Sequence, residues 1–244
     1  MGRTLVEGVL AHPELELAAA LDLAAGEVLG RKVTTDVAAA MRAADVLIDF
    51  TRPDGTLAHV KACMEAGKAI VIGTTGFSDP QKKSIADAAR RIPIAMSPNF
   101  AIGVNVVFKL AEMAAAALGD AYDVEIIEAH HRHKVDAPSG TALKLGEIIA
   151  SSLKRDLGKE AKHGRQGDTG ERPTRQIGFH AIRGGDIVGE HTVIFAGMGE
   201  RVEVAVRSQS RMTYAAGALR AALWLEKRAP GLYDMADVLG LKRS

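Results

Sequence analysis

Between Glu128 and Asp136 the chain sets three histidines, two other basic residues and two acids in nine positions. A Pro-Ser-Gly-Thr step follows, giving the run EAHHRHKVDAPSGTA (128–142). Three chemistries fit these residue types. His131 and His133 are two apart, so on a strand they would face one way, and Glu128 or Asp136 could add an oxygen ligand. A catalytic zinc site wants a third well-placed ligand and an open position, which the spacing does not supply. The bland alternative is a solvated basic loop, but an apolar run leads in and a helix start leads out. The third reading joins both halves. Pro138 and Ser139 mark a helix start, and Ala142, Leu145, Ile148 and Ile149 recur at helical spacing behind it. The N–H groups of Gly140 and Thr141 then form an anion site reinforced by the helix dipole. Lys134 and the histidines would face it with charge-assisted donors. A small polycarboxylate suits that arrangement, and Lys134 or a histidine could deliver a proton, since imidazole titrates near neutral pH.

These residues need elements to hold them, and the chain has two kinds. Its first hundred residues alternate short apolar strands, ADVLIDFT (44–51), KAIVIGTTG (68–76) and IPIAMSPNF (92–100), with the helical stretches 55–67 and 79–91. That alternation predicts a parallel, Rossmann-like sheet with helical crossovers. Ligands bind such sheets at the carboxyl ends of the strands, where TRPDG, GTTG and SPNF fall. An earlier run, ELELAAALD (14–22), ends on Asp22, where a carboxylate would accept from ribose hydroxyls. The chain opens on MGRTLVEGVL, which reads as the helix after a glycine-rich loop, so the expectation is a dinucleotide fold whose first strand and most of whose loop glycines are missing.

After Phe100 the pattern changes to a long helix (103–118), a strand (122–130), the helix from Ser139, and a polar stretch (159–175) too poor in apolar residues to build core. QIGFHAIR, DIVGEHTVIFA and RVEVAVRS then alternate at strand period. Gly184-Gly185 signals a tight hairpin between the first two, and GMGE a turn between the second and third. An antiparallel meander is expected, hence an inserted α+β domain over 101–211. Residues 1–100 and 212–244 should make the dinucleotide-binding domain, with the helix 213–228 and the tail packing back on it.

Composition narrows the partners. Net charge is +1, with 47% hydrophobic and 25% charged residues, so no nucleic-acid partner is expected. A single cysteine, Cys63, excludes an internal disulfide and fits a reducing cytoplasm. No apolar run is expected to reach the roughly 18 residues of a membrane span, and the N-terminus lacks a signal-peptide pattern.

Beyond this chemistry, the sequence resembles the 4-hydroxy-tetrahydrodipicolinate reductase (dihydrodipicolinate reductase) family. The resemblance rests on EAHHRHKVDAPSGTA and on IDFTRPDGT, VIGTTGF, SPNFAIGVN, GERPTRQIGFHAIRGGDIVGEHTV and SRMTYAAGALRAALWL, in the family's order across essentially the whole chain. It implies a cytoplasmic homotetramer that reduces 4-hydroxy-tetrahydrodipicolinate to tetrahydrodipicolinate with NADH or NADPH, in the diaminopimelate route to lysine. It further implies His130 as proton donor and acceptor, Lys134 as proton donor, and His131, Gly140 and Thr141 as substrate contacts. To the domain over 101–211 it assigns substrate binding and oligomerisation. Gly73, Thr74 and Thr75, and Ser97, Pro98, Asn99 and Phe100, match two cofactor loops. The family's loop resembles GxxGRMGR, of which Met1, Gly2 and Arg3 remain. Leu23 follows Asp22 where the family often has Arg, which points to NADH over NADPH. Two rivals to this reading are a catalytically impaired remnant that binds substrate or partners without cofactor, and a metal-dependent hydrolase built on His131 and His133. His133 itself receives no role.

Overall fold

In a computed structural model, which describes residues 1–242, the chain forms two compact units, Met1–Ile102 with the residues from Arg211 on, and Gly103–Ser210. The first unit begins with helix α1 (Gly2–Ala11), the short strands β1 (Ala20–Leu21), β2 (Gly26–Val28) and β3 (Arg31–Thr34), and helix α2 (Val37–Ala43). It continues with β4 (Val46–Asp49), α3 (Pro53–Ala66), β5 (Ala69–Ile72), α4 (Asp79–Ala88) and β6 (Pro93–Met96). The second unit holds α5 (Ile102–Leu118, whose first residue belongs to the first unit), β7 (Asp123–His130), α6 (Gly140–Ser152), α7 (Leu157–Glu160), β8 (Ala161–His163), β9 (Ile177–Arg183), β10 (Gly189–Ala196) and β11 (Arg201–Ser208). The chain then returns to the first unit with α8 (Met212–Leu225), β12 (Gly231–Tyr233) and α9 (Met235–Val238).

The first unit is the Rossmann-like half. Its strands run in the order β12-β6-β5-β4, all parallel. β5 is buried along its whole length, as a strand covered on both faces must be. Val60, Cys63, Ile85 and Ala88 from α3 and α4 pack in one cluster with Ile70, Ile72 and Ile94. Leu5 of α1 and Ala215, Ala218, Ala222 and Leu225 of α8 pack in another with Val71 and Ala95. Local signals start and stop the helices. Pro53 opens α3 and Gly67, left-handed at φ 64°, closes it, while Ser78 and Gln81 form a capping box on α4. The C-terminal helix and tail pack back here as expected, with β12 paired to β6. β1 is the exception: it pairs with β3 in a separate three-stranded sheet and covers two residues of the run 14–22.

In the second unit the sheet order is β11-β10-β7-β9-β8. β10 is antiparallel to β11 and to β7, whereas β9 runs parallel to β7 and β8 parallel to β9. The sheet is therefore mixed, and the expected three-strand meander is corrected. Gly184-Gly185 does not close a hairpin, because β7 lies between β9 and β10. Its backbone crosses the end of β7 instead, with Gly184 N donating to His130 O at 3.0 Å and Arg132 N to Gly185 O at 3.2 Å. Val107, Ala111 and Ala115 of α5 and Leu145 and Ile149 of α6 join Val124, Ile126, Phe179, Val193 and Phe195 in one core. α5 with the turn behind it, Ile102–Ala121, is long and apolar enough by length and composition to cross a membrane. This departs from the expectation of no such segment. Its alanines and valines reach that hydropathy although Lys109 and Glu112 interrupt the run, and one face lies in the core.

Candidate active site

β7, the central strand of its sheet, carries the candidate run to its C-terminal end. Its alternate residues Val124, Ile126, Glu128 and His130 are buried on one face. The first two feed the core and the last two end in chemistry. Glu128 is 1% exposed, and its two oxygens are divided. Oε2 lies 2.6 Å from His130 Nδ1 and accepts from Arg183 Nη1 at 2.8 Å; Oε1 accepts from Arg183 Nη2 at 2.7 Å and from the Ser139 N–H at 3.1 Å. Burial alone would raise this carboxyl, but the Arg183 and His130 hydrogen bonds outweigh it and hold Glu128 below the usual carboxylate range. For His130 burial wins: it pushes the imidazole down despite the Glu128 carboxylate.

Ser139 caps α6, accepting from Ala142 N at 3.2 Å. Its hydroxyl also meets His191 Nε2 at 2.9 Å, and His191 stands edge-on to His130 with centroids 5.2 Å apart. Burial, with the charge of His130, pushes His191 down to about 4, so it is neutral at neutral pH. The expected helix start is thus present, with Gly140 and Thr141 in its first turn. Lys134 pairs with Asp136 through both carboxylate oxygens, at 2.8 and 2.9 Å, and holds that carboxyl below its ordinary range. His131 and His133 lie with ring centroids 6.2 Å apart. The Nδ1 atoms of His131 and His191 are buried and meet no hydrogen-bond partner among the described residues.

Metal chemistry finds no frame here. Among the described residues no group of three or more His, Cys, Asp and Glu side chains converges as a metal site. Glu128 and Asp136, the oxygen donors that reading needs, are committed to Arg183 and Lys134.

In the first unit the expected cofactor loops leave adjacent strands, since Ile72 is in register with Asp49 and with Met96. A Cβ at Gly73 would stand 2.3 Å from the Phe50 ring, so any side chain there would have to displace that ring. Thr74 is buried and accepts from Thr56 Oγ1 at 2.9 Å, while Thr75 is exposed. Ser97 Oγ donates to Asn99 O at 2.9 Å and Asn99 Oδ1 accepts from Ala101 N at 2.8 Å, which shapes the Pro98 turn. Phe100, expected as a cofactor contact, turns its ring into the core at 1% exposure, 5.7 Å from Phe50, and its carbonyl oxygen packs against Gly217 of α8, so it presents no open surface to a ligand. Asp22 stays exposed just after β1 of the separate small sheet, its Oδ1 accepting from Leu23 N at 2.7 Å.

Sequence reasoning missed the buried groups behind these loops. Asp49 accepts from Thr51 N and Oγ1, both at 2.7 Å, and meets His59 Nδ1 at 2.8 Å. Those bonds outweigh burial and hold its carboxyl low. Arg183 and His191 were missed as well, because each sits more than forty residues beyond the run it serves. The one local signal for Glu128 was its phase with His130 on β7.

The first hundred residues match the family model described as "Dihydrodipicolinate reductase, N-terminus", and residues 103–239 match "Dihydrodipicolinate reductase, C-terminus". A 4-hydroxy-tetrahydrodipicolinate reductase of Aromatoleum aromaticum is 56% identical over 99% of this chain and 92% of its own length. That of Thiobacillus denitrificans is 54% identical over 99% and 95%. Among solved structures, dipicolinate-bound dihydrodipicolinate reductase from Paenisporosarcina sp. TG-14 superposes with a TM-score of 0.78 at 27% identity, covering 97% of this chain and 94% of that one. A probable dehydrogenase from Thermotoga maritima, at TM-score 0.59 and 9% identity over 96% and 88%, shares the fold.

Proposed function

Because the chain belongs to the dihydrodipicolinate reductase family, we propose that it reduces 4-hydroxy-tetrahydrodipicolinate through His130, Lys134 and the first turn of α6. The activity is that of an NAD(P)H-dependent oxidoreductase of the diaminopimelate route to lysine. The observation that carries the residue assignment is the Glu128–His130 contact at 2.6 Å beside the capped start of α6. A proton carrier and an anion-binding helix end are thereby joined through one buried carboxylate.

His130 and Lys134 act as the proton-handling pair. Neutral His130 offers a ring nitrogen to accept a proton, and the Lys134 ammonium supplies one to the substrate as negative charge develops. The Gly140 and Thr141 amides and His131, whose buried Nδ1 awaits a polar partner, take the substrate carboxylates. A bound dicarboxylate in the Paenisporosarcina relative supports that class of ligand.

Reduced nicotinamide, when bound, supplies the hydride. The residues present fit it: Gly73, Thr74 and Thr75, and Ser97, Pro98 and Asn99, follow the carboxyl ends of adjacent parallel strands, with Phe100 anchoring the second loop in the core. Asp22 is assigned to the adenosine ribose, and Leu23, without positive charge, favours NADH over NADPH. The first unit is accordingly the dinucleotide half and the second the substrate half. Homotetramer formation through the second unit's sheet is supported by Ile182 and Val202, exposed apolar residues on its strands. A cytoplasmic setting agrees with a lone, buried Cys63.

Replacing Lys134 by alanine should lower turnover about 10²–10⁴-fold, the scale of a positioned acid. Circular dichroism should stay unchanged, because Lys134 pairs with a half-exposed Asp136. Turnover equal to the parent would remove Lys134 from the mechanism.

A further inference from the structure

Of the groups in the substrate half, Glu128 and Arg183 have no part in the proton or substrate assignments, yet they are densely bonded and touch the residues that do. Four hydrogen-bond contacts of 2.6 to 3.1 Å converge on a carboxylate with 1% exposure. A carboxylate only accepts, so the proton between it and His130 resides on Nδ1, and Nε2 is left to give or take. Arg183 is fixed in turn, donating to Asp136 O and Ile182 O, both at 2.7 Å. Its planar fork matches both oxygens at once, which a lysine could not do.

We infer that Glu128, clamped by Arg183, is the positioning residue of this site: one oxygen sets the tautomer of His130 and the other pins the N-cap of α6. The inference rests on the assignment of His130 as proton carrier. Through this pair, the strand end that moves protons and the helix end that binds carboxylates keep a fixed separation. The charged and titratable groups facing His130 are Glu128 on its own strand, Arg183 on β9, His191 on β10, and Lys134 with its partner Asp136 in the following loop. Glu128 favours the imidazolium; Arg183 and Lys134 oppose it.

The test is the titration and tautomer of ¹⁵N-labelled His130 in the full chain, read alongside pH–rate profiles. Glu128→Gln should move the His130 midpoint to lower pH, shift the neutral ring away from the Nδ1–H form and lower kcat about 10- to 10²-fold, a fraction of the full acid–base contribution. Arg183→Met should move the midpoint the other way, because it leaves the carboxylate and removes the opposing charge. Simple loosening of the site would not give shifts of opposite sign. Should Glu128→Gln fail to fold, the upward shift in Arg183→Met still decides. Unchanged midpoint and tautomer in the folded variants, or shifts in the same direction, would overturn the inference. His130→Ala separates the two levels. If it keeps parental turnover, the proton-carrier assignment itself fails. If it is inactive while Glu128→Gln leaves His130 unaltered, only the positioning role fails.

Discussion

His130 and His191 lie with ring centroids 5.2 Å apart, yet their surroundings give them different work. His130 has a carboxylate on Nδ1, which offsets part of its burial. His191 has only the Ser139 hydroxyl, and burial takes it from 6.5 to about 4. The unfolded chain therefore takes up a proton at this position below about pH 6.5, while the folded chain resists until about 4. Stability is full above that window and falls as pH drops through it, since the unfolded state binds more protons there. Denaturant unfolding between pH 7 and 4 should show this fall, and His191→Asn should make it shallower. An identical slope in the variant would mean that His191 is not held neutral. Residue chemistry of this kind was only half legible. The type and spacing of His130, Lys134 and the Ser139 cap lie within one short run. The partners that tune them, Arg183 and His191, come from strands more than forty residues away.

The start of α6 was readable because its cause is local: Ser139 acts on the next turn of its own chain; α3, expected from 55, begins two residues earlier at Pro53. Strand pairing is not local. Gly184-Gly185 carried a true turn signal, but the strands on either side pair with β7, so the hairpin expectation failed. The same limit hid the packing of α8 under the SPNF loop. A Cβ at Gly217 would stand 1.7 Å from the Phe100 carbonyl oxygen, a backbone atom that cannot swing aside. Gly217→Ala should therefore cost about 1–3 kcal/mol, the usual scale of overpacking, and weaken NADH binding by displacing the loop. Thermal unfolding and a fluorescence titration with NADH would check both. A parental melting temperature together with parental affinity would contradict this account of the loop.

For the whole molecule, composition and alternation were enough to foresee a parallel-sheet half and a second α+β half. The resemblance in the histidine run, matched across both halves, supplied the reaction. Neither could foresee that β1, the strand leading to Asp22, would leave the main sheet, because short strands find partners by packing rather than by pattern. The loops assigned to the reductant belong to the first unit and the residues assigned to proton handling to the second, so on this proposal activity demands that both be competent in one chain. The most direct test is the oxidation of NADH and NADPH, followed by absorbance, when the purified chain meets freshly generated 4-hydroxy-tetrahydrodipicolinate. The account predicts substrate-dependent oxidation of reduced nicotinamide with formation of tetrahydrodipicolinate, and a higher kcat/KM with NADH. A folded chain that binds the substrate yet oxidises neither nucleotide would contradict it.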